Sequence, residues 1–470
     1  MPSPTLPPDT SGRSGAIDVG LLSPVTVGHD AGVSDAAVLD ALVTAEVALT
    51  RASARVGAAP ERVVAEVAST FGWQDGQSGC RGHGVALGDL IAASVAGGNP
   101  VIPLVGTLRS RVSSEAATWI HRGATSQDIL DTALVLVARS ATADVAASLA
   151  ATSAALAELA RTHRDEVAAA RTLTQHAVPT TVGARIAGWL RGIDRARTRL
   201  DAVRAGLPAQ LGGAAGTAAA FAEHLGSSEA AAALIDAYAA ELGLAAPAAP
   251  WHTERWPITE LGDALVQAID AVGKVATDVA TLSRTEIGEL AEGAGGGSSA
   301  MPQKQNPASS VLIRSAALRA PQLGATLHLA AALAADERPD GAWHAEWPTL
   351  RELLRLALGA AANAARLAAG LRVDSAAVAR NLAATGGLLV SERLSIVLTP
   401  LIGAARVREL VAAGARGDDL AALLRALPEL GGTDAAGLLD PAAYTGLAGA
   451  FVDRSVAAAS PAADPEEHSP

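Results

Sequence analysis

One cysteine, Cys80, stands in a chain of 470 residues. An internal disulfide and a cysteine-based metal cluster are thereby excluded, and the usage fits a reducing compartment. Aromatic residues are also scarce, at 3% of the chain. A chain so poor in aromatics, half hydrophobic and dominated by alanine, favours closely packed helices over sheets. No run reaches 18 consecutive apolar residues, so no membrane span is expected. The opening "MPSPTLPPDTSGRSG" lacks the basic and apolar regions of a signal peptide. Residues 1–16 read as a disordered leader and residues 456–470 as a disordered tail. Together these features predict a cytoplasmic protein. The formal net charge of −12 disfavours nucleic acid and anionic membranes as partners. An anionic ligand would need cations and amide N–H groups supplied locally.

What is present is helical periodicity. Residues 128–178 contain a single proline-free, glycine-free run in which Leu130, Leu134, Val137, Ala141, Val145, Leu149, Leu156 and Leu159 recur at helical spacing. Further helices are expected over residues 258–290, from Pro307 toward Ala335 with a bend near Pro321, and over residues 348–369. They predict an all-α fold whose central bundle spans residues 111–367. A smaller helical domain over residues 17–110 precedes it, and another over residues 368–455 follows.

Four stretches carry polar side chains that helix building does not require. "GAGGGSSAMPQKQNP", Gly293 to Pro307, is not a P-loop, because Gln303 and Gln305 flank Lys304. It reads as a lid over residues 291–307. Its glycines free the backbone, Ser298 and Ser299 supply hydroxyls, Lys304 supplies charge and Asn306 an amide. "HRGATSQDILDT" sets Thr125, Ser126 and Gln127 at the start of the first long helix. An N-cap and a carboxylate site both account for it. "RTLTQHAVPTTVG" clusters Arg171, Thr172, Gln175 and His176 where Pro179 interrupts the helical pattern. For these residues alone, a capped helix end with a hydrogen-bonded His176 suffices. "WHTERWPITE" and "GAWHAEWP" gather Trp251, His252, Arg255, Trp343, His344, Glu346 and Trp347, which read as bundle-end packing. No spacing of zinc-ligand type occurs, and no metal or cofactor is expected.

"GSSAMPQKQNP" resembles the signature of the fumarase/aspartase superfamily, and "GATSQDILDTA" and "RTLTQHAVPTTVG" look like its other two motif regions, in the same order. The resemblance covers residues 22–455. "GNPVIPLVGTLR", "PWHTERW", "TEIGEL" and "GGLLVSERLS" resemble the bacterial 3-carboxy-cis,cis-muconate cycloisomerase branch. Two positions depart from related patterns. Leu173 follows Thr172 where many superfamily lyases carry a histidine acid, a feature similar in the cycloisomerase branch. Arg122 follows His121 where that branch usually carries Trp.

The resemblance implies a homotetramer whose sites each draw one motif region from three subunits. It implies a tricarboxylate substrate, 3-carboxy-cis,cis-muconate, closed to 4-carboxymuconolactone in protocatechuate (β-ketoadipate) degradation. Ser298 would move the proton, with Lys304 and Asn306 stabilising the charge. Thr125, Ser126, Gln127, Arg171, Thr172, Gln175, His176, Ser299 and Met301 would bind the substrate. Another superfamily reaction, such as an adenylosuccinate-type C–N elimination, is the alternative, and a catalytically silent scaffold is a third.

Overall fold

In the computed structural model the described residues are 18–73, 79–293, 296–297 (backbone only), 301, 304–431 and 434–459. The architecture is all-α. Among the described residues, the long helices are α1 (Asp35–Arg55), α2 (Ser126–Thr162), α3 (Val182–Ala205), α4 (Trp256–Leu282), α5 (Ala308–Ala332) and α6 (Gly341–Gly370). Alanine-rich, 3.6-periodic segments build each of them, and α5 and α6 contain Pro321 and Pro348 without ending there. The helix Ala448–Ala459 runs through the first residues of the expected tail.

The run expected as one helix to residue 178 stops at Thr162. A hairpin follows, β1 (Val167–Thr172) against antiparallel β2 (Gln175–Thr181), with the register broken between Ala169 and Arg171. The β-branched residues Val167, Thr172, Val178, Thr180 and Thr181 favour extended backbone and outweigh the missing glycine and proline. The turn is made by Leu173 and Thr174, both at positive φ (48° and 72°), which is the twist a two-residue hairpin demands. Similarly, the helix expected to reach residue 290 ends at Leu282. Residues 290–291 instead pair as a short strand with Arg372–Val373.

The chain divides into two compact units. The first comprises residues 1–147, 196–270 and 315–362. In it α1 lies against the helix Ser228–Leu242, and Glu241 of that helix pairs with Arg51 and Arg55. Its core includes the fully buried Phe71, Phe221, Tyr238 and Trp251. The second comprises residues 148–195, 271–314 and 363–470. It holds the hairpin and a compact apolar cluster built on Val390, Leu394, Leu398, Leu424 and Leu430.

By length and composition α2 could cross a membrane, but 56% of the relevant window is buried inside the protein. Within α2, Gln127, Asp128 and Asp131 are fully buried and hydrogen-bonded to other parts of the first unit. These are the properties of a core helix.

Candidate active site

The start of α2 is fixed by one carboxylate. Asp128 reaches back to the Thr125 N–H (2.9 Å) and also accepts from the N–H groups of Gly212 (2.8 Å) and Gly213 (2.9 Å). His252 Nε2 lies 2.8 Å from its other side. The helix start, the glycine loop and "WHTERW" are thereby tied together around a fully buried acid. Arg338 donates to both Thr125 Oγ1 and the Ala214 carbonyl, bracing the same loop.

Thr125 is buried and Ser126 half-buried. Gln127 is enclosed completely: its amide nitrogen donates to Asp131 (3.2 Å) and to the His252 carbonyl (2.8 Å). Of the expected binding residues here, Gln127 therefore acts inside the fold. Asp131 also accepts from Arg255 and from Trp343 Nε1 (2.8 Å), and Arg255 in turn holds Glu346 at 2.6 Å. Burial pushes the Glu346 carboxyl up, and although Arg255 opposes this, it stays above the ordinary carboxylate range.

The residue before Arg122 is unusual in backbone and charge. His121 sits at φ 57° and places Nδ1 2.7 Å from the buried Glu46 carboxylate. Burial favours the neutral imidazole, but the charge and hydrogen bond of Glu46 outweigh it, so the His121 pKa is raised. Gly123 follows at φ 80°, and a Cβ there would lie 2.7 Å from the Phe221 ring, so only glycine fits.

In the second unit, Glu289 gathers the hairpin. It accepts from Arg171 (2.6 and 3.2 Å), Arg185 (3.1 Å) and Asn381 (2.9 Å) while almost fully buried. Burial raises its carboxyl, but the Arg171 and Asn381 hydrogen bonds and the two guanidinium charges overcome this and hold it below its ordinary value. Arg171 faces His176 across the strands. Burial, and then the Arg171 charge, lower the His176 pKa against the pull of Glu289. Thr172 and Gln175 are exposed beside the turn, and Leu173 at the tip is 96% exposed.

The lid's flanks are also in the second unit. Gly296 pairs with Asn306 and Gly297 with Gln305, and the Lys304 N–H donates to the Met301 carbonyl (2.9 Å). Glu292 accepts the N–H groups of Ser309 and Ser310 (3.0 and 2.9 Å), closing the start of α5. Asn306, Glu292 and Arg372 line a cavity of about 70 Å³. Ser298 and Ser299 lie outside the described residues. Lys304 and Met301 are exposed. The chain's 36 basic residues include only two lysines, Lys274, paired with Asp278, and Lys304, a compact cation in a protein that mostly uses arginine.

The expected site residues thus form three local groups: Thr125–Gln127 in the first unit, and the hairpin quartet and the lid flank in the second. Sequence reading passed over Asp128, Arg338, Glu289, Arg185 and Glu292, which hold these groups in place. Asp128 closes locally on Thr125 three residues before it, but the other partners are more distant, up to 213 residues for Arg338 and Thr125, and no local pattern marks those.

The sequence pattern of the lyase family matches residues 29–321. Nitrosuccinate lyase of Streptomyces davaonensis is 48% identical over 459 residues, covering 94% of this chain and 95% of that protein. The 3-carboxy-cis,cis-muconate cycloisomerase of Pseudomonas aeruginosa is 41% identical over 443 residues, covering 90% and 92%. The crystal structure of 3-carboxy-cis,cis-muconate lactonizing enzyme from Pseudomonas putida matches with a TM-score of 0.81 at 36% identity, covering 91% and 95%.

Proposed function

This chain belongs to the fumarase/aspartase superfamily of lyases, and from that premise we propose that it eliminates nitrite from nitrosuccinate, leaving fumarate. A base takes a proton from the methylene carbon next to one carboxylate. The electron pair passes through an enediolate of that carboxylate into the new carbon–carbon double bond. The C–N bond breaks, and its pair departs with nitrite. The near-full-length likeness to nitrosuccinate lyase carries this reading.

The chemistry of the site supports it. In this reading Ser298 is the base, and Lys304, Asn306 and lid N–H groups meet the charge growing on the carboxylate. Each such donor contributes roughly 3–4 kcal/mol in comparable sites. The lid excludes water and favours the serine alkoxide. Thr125 and Ser126 from a second subunit, and Thr172, Gln175 and His176 from a third, hold the substrate in a homotetramer. Arg171 and Gln127 act behind them, and Ser299 and Met301 complete the lid. Leu173 is informative here. Nitrite is a weak base and leaves without being protonated, so no acid is needed where other superfamily lyases carry histidine. An amine leaving group would need one, which disfavours the adenylosuccinate-type alternative.

Lactone closure of 3-carboxy-cis,cis-muconate is the second reading, favoured by the same leucine, since that reaction has no leaving group to protonate. Its place would be protocatechuate degradation in the cytoplasm. Purified protein given each compound separates the two. Nitrite and the absorbance of fumarate appear in the first case, and the conjugated diene absorbance disappears in the second. Diene loss with no nitrite would replace the first reading by the second.

A further inference from the structure

We propose that Arg122 is the specificity residue of this site, pairing its planar guanidinium with the two-oxygen group that becomes the leaving anion. The inference rests on the elimination reading above and adds a residue and a role to it.

Among the described residues Arg122 has no ion-pair partner. Its guanidinium lies 4.5 Å from the centre of the Trp119 ring. Its Nε is buried and has no hydrogen-bond acceptor among the described residues. Several other buried or half-buried arginines do hold acids: Arg255 holds Asp131 and Glu346, Arg171 and Arg185 hold Glu289, and Arg355 holds Asp18 and Asp30, while Arg139 and Arg393 donate to backbone carbonyls. The nearest acids along the chain, Glu115 and Asp128, are engaged elsewhere, Glu115 with Arg62, and the buried Glu46 keeps one carboxylate oxygen unpaired among the described residues. Glu46 faces His121, and Asp128 takes the N–H groups of Thr125, Gly212 and Gly213 together with His252. A buried guanidinium N–H left unpaired is costly, and an acceptor arriving with the ligand would remove that cost. Arg204 Nε is likewise unpaired among the described residues, so it is the position of Arg122 three residues before Thr125 that ties it to the site.

The placement is rigid. His121 and Gly123 on either side both hold positive φ, one anchored by Glu46 and the other pressed against Phe221. The cation–π contact with Trp119 holds the guanidinium over the ring. Three residues later comes Thr125, whose hydroxyl Arg338 already holds.

The chemistry follows from shape. A guanidinium offers two parallel N–H bonds to a planar pair of oxygens, which both nitro and carboxylate groups present. As the C–N bond breaks, negative charge moves onto the nitro oxygens. A fixed cation there binds the departing nitrite more strongly than the intact nitro group, which lowers the barrier.

The test compares wild type with Arg122→Lys, Arg122→Gln and Arg122→Ala. Calorimetric titration with sodium nitrite and with fumarate reads binding directly, and nitrite release from nitrosuccinate reads turnover. The expected result is nitrite binding to wild type, weakened at least about tenfold in Arg122→Gln, with fumarate binding changed less. Free guanidinium ion should restore part of the turnover of Arg122→Ala, and Arg122→Lys should remain well below wild type because it lacks the fork. Nitrite binding equal in wild type and Arg122→Gln, or absent from both, overturns the proposal. So does a fall in activity explained by loss of the oligomer, measured by light scattering. Wild type that binds nitrite through Arg122 yet does not turn over nitrosuccinate sinks the elimination reading and leaves an Arg122 anion site.

Discussion

Asp128 and His252 lie 124 residues apart in the chain and meet at 2.8 Å, with Asp128 fully buried. The same carboxylate closes the start of α2 and holds two glycine N–H groups, so one side chain sets the geometry around Thr125. Asp128→Asn replaces one accepting oxygen with an NH2 donor that faces N–H donors. A loss of about 3–5 kcal/mol is expected, read by denaturant unfolding of the purified protein. A loss below about 1 kcal/mol would show that the loop holds without it.

Glu289 makes a prediction about acid. Its folded pKa lies below its ordinary value of 4.5. A depressed carboxyl pKa contributes stability that is present above the unfolded value and lost as pH falls through the folded one. Glu289→Gln should therefore cost most near neutral pH, and the gap from wild type should close on acidification below about 4.5. Thermal melts of both proteins across that range check the sign. A gap independent of pH would contradict it.

The hairpin carries two predictions of opposite sign. Thr174 is β-branched and held at φ 72°. Thr174→Gly should raise stability by about 1 kcal/mol, since the left-handed region costs that much for such a residue. Gly183, in the first turn of α3 just past the hairpin, packs against backbone: a Cβ would lie 2.6 Å from the Ala160 carbonyl and 2.7 Å from Arg164 Cα. Gly183→Ala should lower stability by about 1–3 kcal/mol. Melting temperatures measure both.

Lys304→Met should raise KM and lower kcat for nitrosuccinate, because the cation meets the carboxylate both before and during charge build-up. His176→Ala should reduce turnover far less than loss of Ser298, since the lowered His176 pKa leaves its imidazole neutral near pH 7 and nitrite needs no acid. A near-total loss in His176→Ala would assign it the proton transfer instead.

The bundle was legible because buried leucine, valine and alanine recur at three and four residues, as at Leu130, Leu134, Val137 and Ala141, all buried in α2. The hairpin was not. Its turn uses Leu173 and Thr174 where the glycine or asparagine that usually announces such a turn is missing. The three motif stretches were visible in the sequence, but it could not rank the residues within them. Gln127 and Thr125 look alike in a helix-start motif. Only the fold puts the Gln127 amide against Asp131 and His252, inside the core. Glu289 stood in "TEIGEL" with no role assigned, and only the fold shows Arg171, 118 residues earlier, closing on it.

The proposed elimination turns on a serine in the lid that removes a proton beside a carboxylate. The direct measurement is nitrite release from nitrosuccinate by wild type and by Ser298→Ala, with helicity and oligomeric state followed in parallel. The account predicts a variant that folds and assembles as wild type does but turns over at least about 100-fold more slowly. A Ser298→Ala protein releasing nitrite at the wild-type rate would contradict it.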